Sequence, residues 1–567
     1  MQVIRSAPVY DVVIIGSGAG GGTVTKVLAD LGVSVALLEA GPMLHPEKDF
    51  KEHMWPYQVN HRGVGEAGEG YFGRSPWGFG YFTASFGGWK LEGEPYTVAP
   101  GSKFEWFRSR VVGGRTNHYG RFSFRFSDYD FQPYTRDGLG TDWPITYNDV
   151  APYYDKAERF IGVTGSIENI RSTPDGIFQP PPAPRVHEIL VKRACGKLNI
   201  PCIPNRMAVI TTPLNGRAPC HYCGQCGRGC VTASNYSSSQ VQIFPAMKTG
   251  RVKLFPNAMA RELITDSNGK VTAVSYIDKT TRTEQQIRCR TVVVAGGACE
   301  SSRILLNSRS SRFPRGLANG SGVVGRYLTD TVGYGMTAQI PALIGLPKYD
   351  DDGMGGMHYF VPWWLWDKKD KGFPRGYHIE IGGGFGMPHI GSFRVSEGYG
   401  ASLKKKIREE YGTRVHLSGR GEMIPNEDTY CEIDPQVVDR YGIPVLRFHF
   451  KWSDYELKQA QHQHDTFKAI LETMGGKVTT PSPNFAKGEG ISVGGEIIHE
   501  LGTVRMGKDP RTSALNGYSQ AHEVKNLFVC DAAPFVSNPD KNPTLTIVAL
   551  AWRTAEYLAE ELRKGNV

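Results

Sequence analysis

The sequence contains no run of eighteen apolar residues, about the length that an α-helix needs to cross a bilayer. Long basic runs are also missing, and the net charge of +9 is modest for 567 residues, so nucleic acid is a poor candidate partner. Residues 1–10 lack the charged and then apolar pattern of a secretory signal. We therefore expect a protein made in the cytoplasm without its own signal, which stays there or reaches the periplasm by co-export with a partner subunit.

Internal repeats and low-complexity tracts are also missing. An apolar content of 40% and a charged content of 21% are typical of a globular protein, and the length allows two domains with a large core. The 68 glycines indicate tight turns or close approaches of the backbone to a ligand. Six of the ten cysteines are scattered, which is unlike a disulfide framework: Cys195, Cys202, Cys289, Cys299, Cys431 and Cys530.

The N-terminal segment predicts a dinucleotide-binding site. A buried strand from Asp11 runs into Gly16, Gly18 and Gly21, followed by a helix to about residue 31 and a second strand that ends at Glu39. The first glycine permits a tight turn, the second lets the backbone approach a pyrophosphate, and the third packs the helix on the strand. Glu39 is where an acid would hold a ribose 2′-hydroxyl. This motif alone does not separate NAD from FAD.

Two later segments favour FAD. The stretch 110–120 carries the pair Gly113–Gly114 followed by Asn117 and His118, which suits a backbone lying against a flat ring. The stretch 291–306 indicates another buried strand, a glycine turn at Ala295 and the start of a helix, in the same sheet.

The C-terminal segment adds a strand from Leu527 that delivers Asp531, and a helix that reaches about Lys564. We predict Asn542 as the N-cap of this helix, with Pro543 and Thr544 in its first turn. Directed at a flavin, the positive end of the helix would stabilise the anionic reduced ring.

The remaining four cysteines fall within eleven residues, at Cys220, Cys223, Cys226 and Cys230. The spacing Cys-x2-Cys-x2-Cys-x3-Cys is typical of a loop that wraps an iron–sulfur cluster. A single zinc ion usually takes two close pairs with a longer spacer, and that spacer is missing here. Disulfides would strain such short loops. Both alternatives stay open, but a cluster is favoured, and it would give a two-electron flavin enzyme a one-electron exit.

Taken together, these motifs resemble the glucose–methanol–choline (GMC) oxidoreductases along nearly the whole chain and in the order of that family. The stretch 142–154 resembles the branch of membrane-associated bacterial sugar dehydrogenases, which includes the glucoside 3-dehydrogenase large subunits. The resemblance implies an α/β, Rossmann-type FAD-binding domain and a substrate domain built on an antiparallel sheet. We assign 1–45, 100–145, 235–340 and 495–567 to the first domain, and 46–99, 146–234 and 341–494, with the cysteine loop, to the second.

The resemblance also implies a catalytic pair. His499 begins a His-x-x-Gly-Thr segment and aligns with the family's base, while Asn542 occupies the position of the partner that shares the substrate hydroxyl. The implied activity is oxidation of a secondary or anomeric hydroxyl of a sugar or glycoside, with hydride to the flavin N5 and electrons relayed through the cluster. The implied partners are a small subunit and a cytochrome c or quinone-linked acceptor. The alternative is an oxidase that uses oxygen, with a structural cysteine loop.

Three finer points stay open from the resemblance. His118 occupies the position that carries the covalent 8α-histidyl flavin bond in pyranose 2-oxidase-like relatives, whereas other sugar dehydrogenases hold FAD there without a bond. Cys220, Cys226 and Cys230 reproduce the spacing of relatives with a [3Fe-4S] cluster, and Cys223 is the additional residue that would complete a [4Fe-4S] cluster. Aromatic residues within 68–106 are compatible with a lid over a sugar site or with core packing.

Overall fold

The computed structural model describes residues 8–50, 52, 87–347, 353–369, 371–384 and 398–567. Much of the candidate lid therefore lies outside the described residues. Within the described ranges, none of the helices combines the length and the apolar character that crossing a membrane requires.

The predicted N-terminal strand, Val9–Ile15, is central in a seven-stranded sheet. Its side chains alternate between two apolar cores: Val12 and Ile14 pack on one face of the sheet, and Val13 and Ile15 on the other. Burial on both faces explains why residues 12–15 of this strand are an unbroken apolar run. From one edge the strands are Val252–Phe255, Val35–Leu38, Val9–Ile15, Thr283–Val294, Val271–Asp278 and Ala258–Thr265, and Leu527–Val529 also pairs with Thr283–Val294.

The glycine turn after the first strand leads into the helix Ala19–Asp30, as predicted. The C-terminal helix Thr544–Lys564 packs along it and ends at Gly565, whose φ is +71°. At Gly20 a Cβ would lie 1.7 Å from the carbonyl oxygen of Cys530, so only a glycine permits this approach. The approach brings the segment around Asp531 against the start of the first helix.

The second large sheet is antiparallel, as the resemblance implied. Its strands, in order, are Lys477–Val478, Val332–Gln339, Arg414–Gly421, Tyr377–Gly383, Tyr359–Val361 and Ile203–Pro204. The helices Asp454–Thr473 and Val186–Lys197 pack against it and close a second core. One predicted boundary differs: residues 332–339, assigned to the FAD-binding domain, pair into this sheet because their alternating apolar residues face its core.

The remaining elements are short or connect the two sheets. A three-stranded sheet joins Tyr430–Val438, Pro444–His449 and Thr97–Val98, and Gly87–Gly88 pairs with Arg108–Ser109. Within the part of the chain that the structure describes, the other α-helices are Pro46–Asp49, Pro133–Asp137, Tyr147–Ile161, Phe244–Met247, Ala298–Asn307 and Gly400–Glu410. Single turns of 3₁₀-helix lie at Gly114–Asn117, Asp128–Phe131, Cys226–Arg228, Pro341–Leu343 and Phe485–Lys487, and a π-helical turn lies at Ser239–Ile243.

Candidate functional site

The three glycines of the N-terminal turn meet three different constraints. Gly16 has a φ of +97°, and a Cβ on it would lie 2.3 Å from the carbonyl oxygen of Ala295. A Cβ at Gly21 would lie 1.9 Å from the oxygen of Gly16, so the helix packs on the strand only with glycine there. At Gly18 a Cβ would meet no atom within 4 Å. The turn therefore keeps open backbone surface at the helix N-terminus, where a pyrophosphate would be stabilised.

Glu39 directly follows the second strand and is buried. One carboxylate oxygen accepts hydrogen bonds from the backbone N–H and the hydroxyl of Ser17, and the other accepts from the N–H of Gly41 at 3.0 Å. Burial raises the pKa of Glu39, while the Ser17 hydroxyl acts to lower it. Through these hydrogen bonds the carboxylate stabilises the glycine turn. Its contact with a ribose stays a prediction.

The Gly113–Gly114 turn faces the first glycine turn. Its residues have φ angles of +94° and +52°, and the N–H of Gly113 donates to the Ser17 hydroxyl at 2.9 Å. A Cβ at Gly114 would lie 3.5 Å from the Cα of Gly18, so the two turns form one backbone cradle. Asn117 closes the second turn, since its Nδ2 donates to the carbonyl oxygens of Val112 and Gly114, both at 3.0 Å.

His118 lies directly behind this cradle with 4% of its surface exposed. Its Nε2 is 3.1 Å from the Ser109 hydroxyl, and its ring meets Phe107 edge to face at a centroid distance of 5.6 Å. Burial, followed by the charges of Arg121 and Arg115, lowers the pKa of His118 to about 3. The imidazole is therefore neutral, which is the form that can act as a nucleophile.

Asp531 joins the third glycine turn to the C-terminal segment. One carboxylate oxygen accepts from the N–H of Gly297 at 2.9 Å and from the Ser301 hydroxyl, and the other accepts from the N–H of Ala533 at 2.7 Å. Burial raises the pKa of Asp531. Thr544 is the first residue of the helix that follows. Three loops predicted to contact the cofactor, near residues 16, 114 and 531, therefore converge around the start of the helix Ala19–Asp30.

His499 and Asn542, predicted from separate motifs, meet in the structure. The Nε2 of His499 and the Nδ2 of Asn542 are 3.4 Å apart, and the same Nδ2 lies 3.4 Å from Glu380 Oε1. A carboxylate only accepts, so Asn542 presents its amide N–H groups to Glu380 and to the imidazole. Nε2 of His499 is then the unprotonated nitrogen, and Nδ1–H donates to the Thr331 hydroxyl at 3.0 Å. This tautomer leaves the basic lone pair on the side of Asn542.

The backbone before His499 is held in an unusual conformation. Ile498, a β-branched residue, has a φ of +66°, which such side chains rarely adopt. Asp330 accepts from the N–H of His499 at 3.0 Å and from the N–H of Gly495 at 2.8 Å. Arg115, from the turn of the cradle, donates to the Ile498 carbonyl at 3.2 Å and pairs with Glu500 at 2.6 Å. These bonds fix the base relative to the cradle.

The electrostatics of this centre keep His499 uncharged. Burial, followed by the positive charge of Arg420, lowers the pKa of His499 to about 3, although Glu380 acts in the opposite direction. For Glu380 burial acts to raise the pKa, but Arg420 and His378 together hold it at about 2. The centre thus combines a neutral imidazole with an ionised carboxylate.

The predicted helix cap is wrong. The helix begins at Thr544, its N-cap position is Pro543, and no side chain caps it. The side chain of Asn542 is instead turned toward His499 and Glu380, because its amide finds partners there. Sequence reasoning also missed several residues of the site. Arg115 lies within the stretch 110–120 but was not predicted, and the others belong to no short motif: Asp330, Thr331, His378, Glu380 and Arg420.

The predicted cluster loop has a buried half and an exposed half. Cys226 and Cys230 are buried, Cys220 and Cys223 are half-buried, and none of the ten cysteines, all of which the structure describes, forms a disulfide. The neighbouring Tyr222 is exposed. Burial, with a smaller effect of the neighbouring thiols, raises the pKa of Cys220 to about 12 and that of Cys223 to about 11. A bound metal cluster would offset this effect, because its positive charge favours thiolates.

Cys223 also approaches residues outside the run of cysteines. Its Sγ and one ligand atom each of Glu52 and His221 lie within 4.8 Å of one another. Glu52 in addition accepts from the N–H of Val231 at 2.9 Å, which ties it to the end of the loop. Cysteine thiolates are the usual ligands of iron–sulfur clusters, and the binding of a cluster by the four cysteines of this loop stays a prediction.

Arg121 connects the cysteine loop to the cradle. Its Nη2 donates to the carbonyl oxygen of Asn117 at 2.9 Å and to that of Cys226 at 3.3 Å. The side chain is buried. The inner half of the cysteine loop is therefore one side chain away from the turn that carries Asn117 and His118.

Comparison with known proteins gives a family match over most of the chain. Residues 10–331 and 425–551 match the N- and C-terminal parts of the GMC oxidoreductases. The chain is 30% identical to 2-methyl-1,2-propanediol dehydrogenase of Mycolicibacterium austroafricanum, covering 98% of this chain and 96% of that one. It is 26% identical to the fructose dehydrogenase large subunit of Gluconobacter japonicus, covering 98% of both. Its fold resembles pyridoxine 4-oxidase from "Mesorbium loti", with a TM-score of 0.62 at 16% identity, covering 97% of this chain and 99% of that one.

Proposed function

We propose, since the chain belongs to the GMC oxidoreductase family, that it oxidises a hydroxyl of a sugar, glycoside or small polyol and passes the electrons to an acceptor other than oxygen. The observation that carries the proposal is the meeting of His499 Nε2 and the Asn542 amide at 3.4 Å. The named relatives, a diol dehydrogenase and a fructose dehydrogenase subunit, support hydroxyl groups of polyols as the substrate class.

Members of this family are FAD-binding flavoproteins, and the residues present fit the cofactor. The open backbone at Gly18 and the facing turn at Gly114 offer a cradle that side chains would fill. In our proposal this cradle, with Glu39 and Asp531 bracing the adjacent turns, holds FAD, which when bound supplies the acceptor for hydride. His118, which is buried beside the Gly113–Gly114 turn, would contact the cofactor there, either through a covalent bond or by packing and hydrogen bonding.

The chain itself supplies the proton chemistry. His499 Nε2 takes the proton of the substrate hydroxyl, because Nδ1 is occupied as a donor to Thr331. Asn542 holds the hydroxyl oxygen in line but does not titrate, so His499 is the sole base. Because burial lowers the pKa of His499 to about 3, the imidazole is neutral near pH 7 and Nε2 carries no proton of its own.

The cysteine loop is proposed to hold an iron–sulfur cluster with Cys220, Cys226 and Cys230 as ligands and Cys223 as a fourth. Such a cluster carries single electrons away from the site. Support comes from Arg121, which links the carbonyl groups of Asn117 and Cys226, and from the exposed outer side of the loop. We further propose a small partner subunit, a cytochrome c or quinone-linked acceptor, and export, if any, together with that subunit.

The test is anaerobic mixing of the purified protein with a panel of sugars, glycosides and diols, followed by FAD bleaching, and an iron assay on the same sample. We expect at least one member of the panel to bleach the flavin and several irons per chain. The variant His499→Ala should retain FAD and bleach at least about 100-fold more slowly, the scale of general-base catalysis. Rapid reoxidation by air with no iron bound would instead favour the oxygen-using oxidase, and an unbleached flavin with every compound would refute the proposal.

A further inference from the structure

The carboxylate of Glu380 lies beside the catalytic pair, His499 and Asn542. It lies in the strand Tyr377–Gly383 with 3% of its surface exposed. Its Oε2 pairs with Arg420 Nη2 at 2.8 Å. Its Oε1 is 3.4 Å from Asn542 Nδ2 and 3.6 Å from His378 Nε2, both longer than an ordinary hydrogen bond. Oε1 therefore keeps much of its capacity to accept a stronger bond.

Two more polar atoms beside this carboxylate have unused bonding capacity. Asn542 Oδ1 and His378 Nε2 are buried and have no hydrogen-bond partner among the residues that the structure describes. The other nitrogen of His378, Nδ1, donates to the carbonyl oxygen of Asp540, which fixes the ring in place. Buried polar side-chain atoms are normally paired, and an unpaired one costs free energy. These two unpaired atoms, beside the weakly bonded Oε1 of Glu380, indicate a binding site for a hydrogen-bonding ligand.

We propose that Glu380 binds a second hydroxyl of the substrate, on the carbon next to the one that is oxidised, so that the site selects vicinal diols. This inference rests on the proposed function. Glu380 Oε1 and His499 Nε2 both lie 3.4 Å from the single nitrogen Asn542 Nδ2, so hydroxyl groups on adjacent carbons of one molecule reach both. His378 Nε2 faces the same hydroxyl.

The charges of Glu380 and Arg420 together favour a neutral hydrogen-bond donor on the substrate. A carboxylate accepts hydrogen bonds and also attracts cations, so an alcohol and an ammonium group would both suit it. Arg420 already neutralises Glu380 at 2.8 Å, and a second cation there would meet that guanidinium. Glu380 therefore favours a hydroxyl over an amine on the carbon next to the one that is oxidised.

The test compares matched substrates in the FAD-loaded wild type and in Glu380→Gln, which preserves the shape and removes the charge. The pairs are 1,2-propanediol with 1-propanol, and methyl β-D-glucopyranoside with its 2-deoxy and 4-deoxy analogues. In stopped-flow reduction of the flavin, the variant should lose about 10- to 100-fold in kcat/KM with the vicinal diol of at least one pair, the scale of a hydrogen bond to a charged group. With the matched compound that lacks the neighbouring hydroxyl it should lose less than threefold.

The outcomes distinguish a direct contact between Glu380 and the substrate from a role in which Glu380 only positions Asn542. Equal losses on both members of each pair would mean that Glu380 acts only through Asn542, and they would overturn the proposal. Wild-type flavin that is reduced equally fast by both members of each pair would overturn it too. A wild type that is reduced by no alcohol at all would refute the proposed function itself. As a second variant, Arg420→Met should shift the preference toward 2-amino-1-propanol relative to 1,2-propanediol, and an unchanged ratio would count against the charge argument.

Discussion

The hydroxyl of Thr331 should determine which nitrogen of His499, the proposed base, carries the proton, and the substitution Thr331→Val tests this directly. Thr331 is 1% exposed, directly precedes the strand Val332–Gln339, and accepts from His499 Nδ1–H at 3.0 Å. Valine has nearly the same shape but no hydroxyl. In the variant, Nδ1–H loses its partner, and the proton is no longer held away from Nε2. A larger fraction of the imidazole then carries the proton on the nitrogen that must accept one.

The expected magnitude follows from the burial of the pair. Leaving a buried donor unpaired costs about 1–3 kcal/mol, and 1.4 kcal/mol corresponds to a tenfold change in rate or equilibrium. If that free energy is lost from the reactive tautomer, the anaerobic rate constant of flavin reduction falls about 10- to 100-fold. KM should change little, because Thr331 does not contact the substrate. The variant Thr331→Ser, which keeps the hydroxyl, should retain most of the rate.

A matched control lies in the same strand. Thr337 makes the same bond to His416 Nδ1, at 2.9 Å, and is not part of the catalytic centre. Thr337→Val should lower thermal stability to a similar degree and leave flavin reduction within about threefold of wild type, since only a local hydrogen bond is lost. If Thr331→Val also reduces flavin within threefold of wild type, Thr331 does not control the base, and the tautomer inferred here is wrong.

Three further predictions concern the base, the cofactor linkage and the relay. Because burial lowers the pKa of His499 to about 3, the imidazole is neutral above that pH. The rate of flavin reduction should therefore not fall through protonation of His499 between pH 8 and pH 5. A stopped-flow rate that falls tenfold per pH unit below pH 6.5 would contradict this. If FAD is bonded to His118, acid precipitation should leave yellow, fluorescent protein and His118→Ala should release the flavin, whereas a colourless wild-type pellet would establish non-covalent binding. Cys226→Ser should leave sugar-driven flavin reduction intact but lower the bound iron and stop electron transfer to cytochrome c. Full iron content with unimpaired transfer would refute the relay. Cys223→Ser should lose about one iron or gain a three-iron resonance if Cys223 is a ligand.

Features of the fold that depend on neighbours in sequence could be predicted from the sequence. The strand before Gly16 and the helix after it follow from an apolar run and a glycine spacing, and both appear where expected. The antiparallel sheet followed from family resemblance, but the pairing of residues 332–339 into it did not. A strand with alternating burial joins whichever sheet offers a complementary face, and no local signal specifies which one.

The site divides in the same way. His499 and Asn542 were predicted because each belongs to a motif, but the wrong cap at Asn542 arose from a local rule that tertiary contacts override. Glu380 lies within a strand and Thr331 directly before one, and only the pairing of the second sheet brings them to His499 and Asn542. Their importance comes from partners more than 150 residues away in the chain. Such contacts leave no spacing that a single sequence reveals.

Two arginines beside the cradle link the separate parts of the proposed mechanism. Arg115 binds the loop that carries His499, and Arg121 binds the loop that carries Cys226. Both arginines belong to the short segment 113–121. A shift of this segment would therefore displace His499 and the cysteine loop together. The cradle is rigid because Ser17 and Asn117 fix its two turns. Substrate oxidation and electron exit are therefore expected to depend on the same few backbone positions, although the residues that perform them are far apart in the sequence.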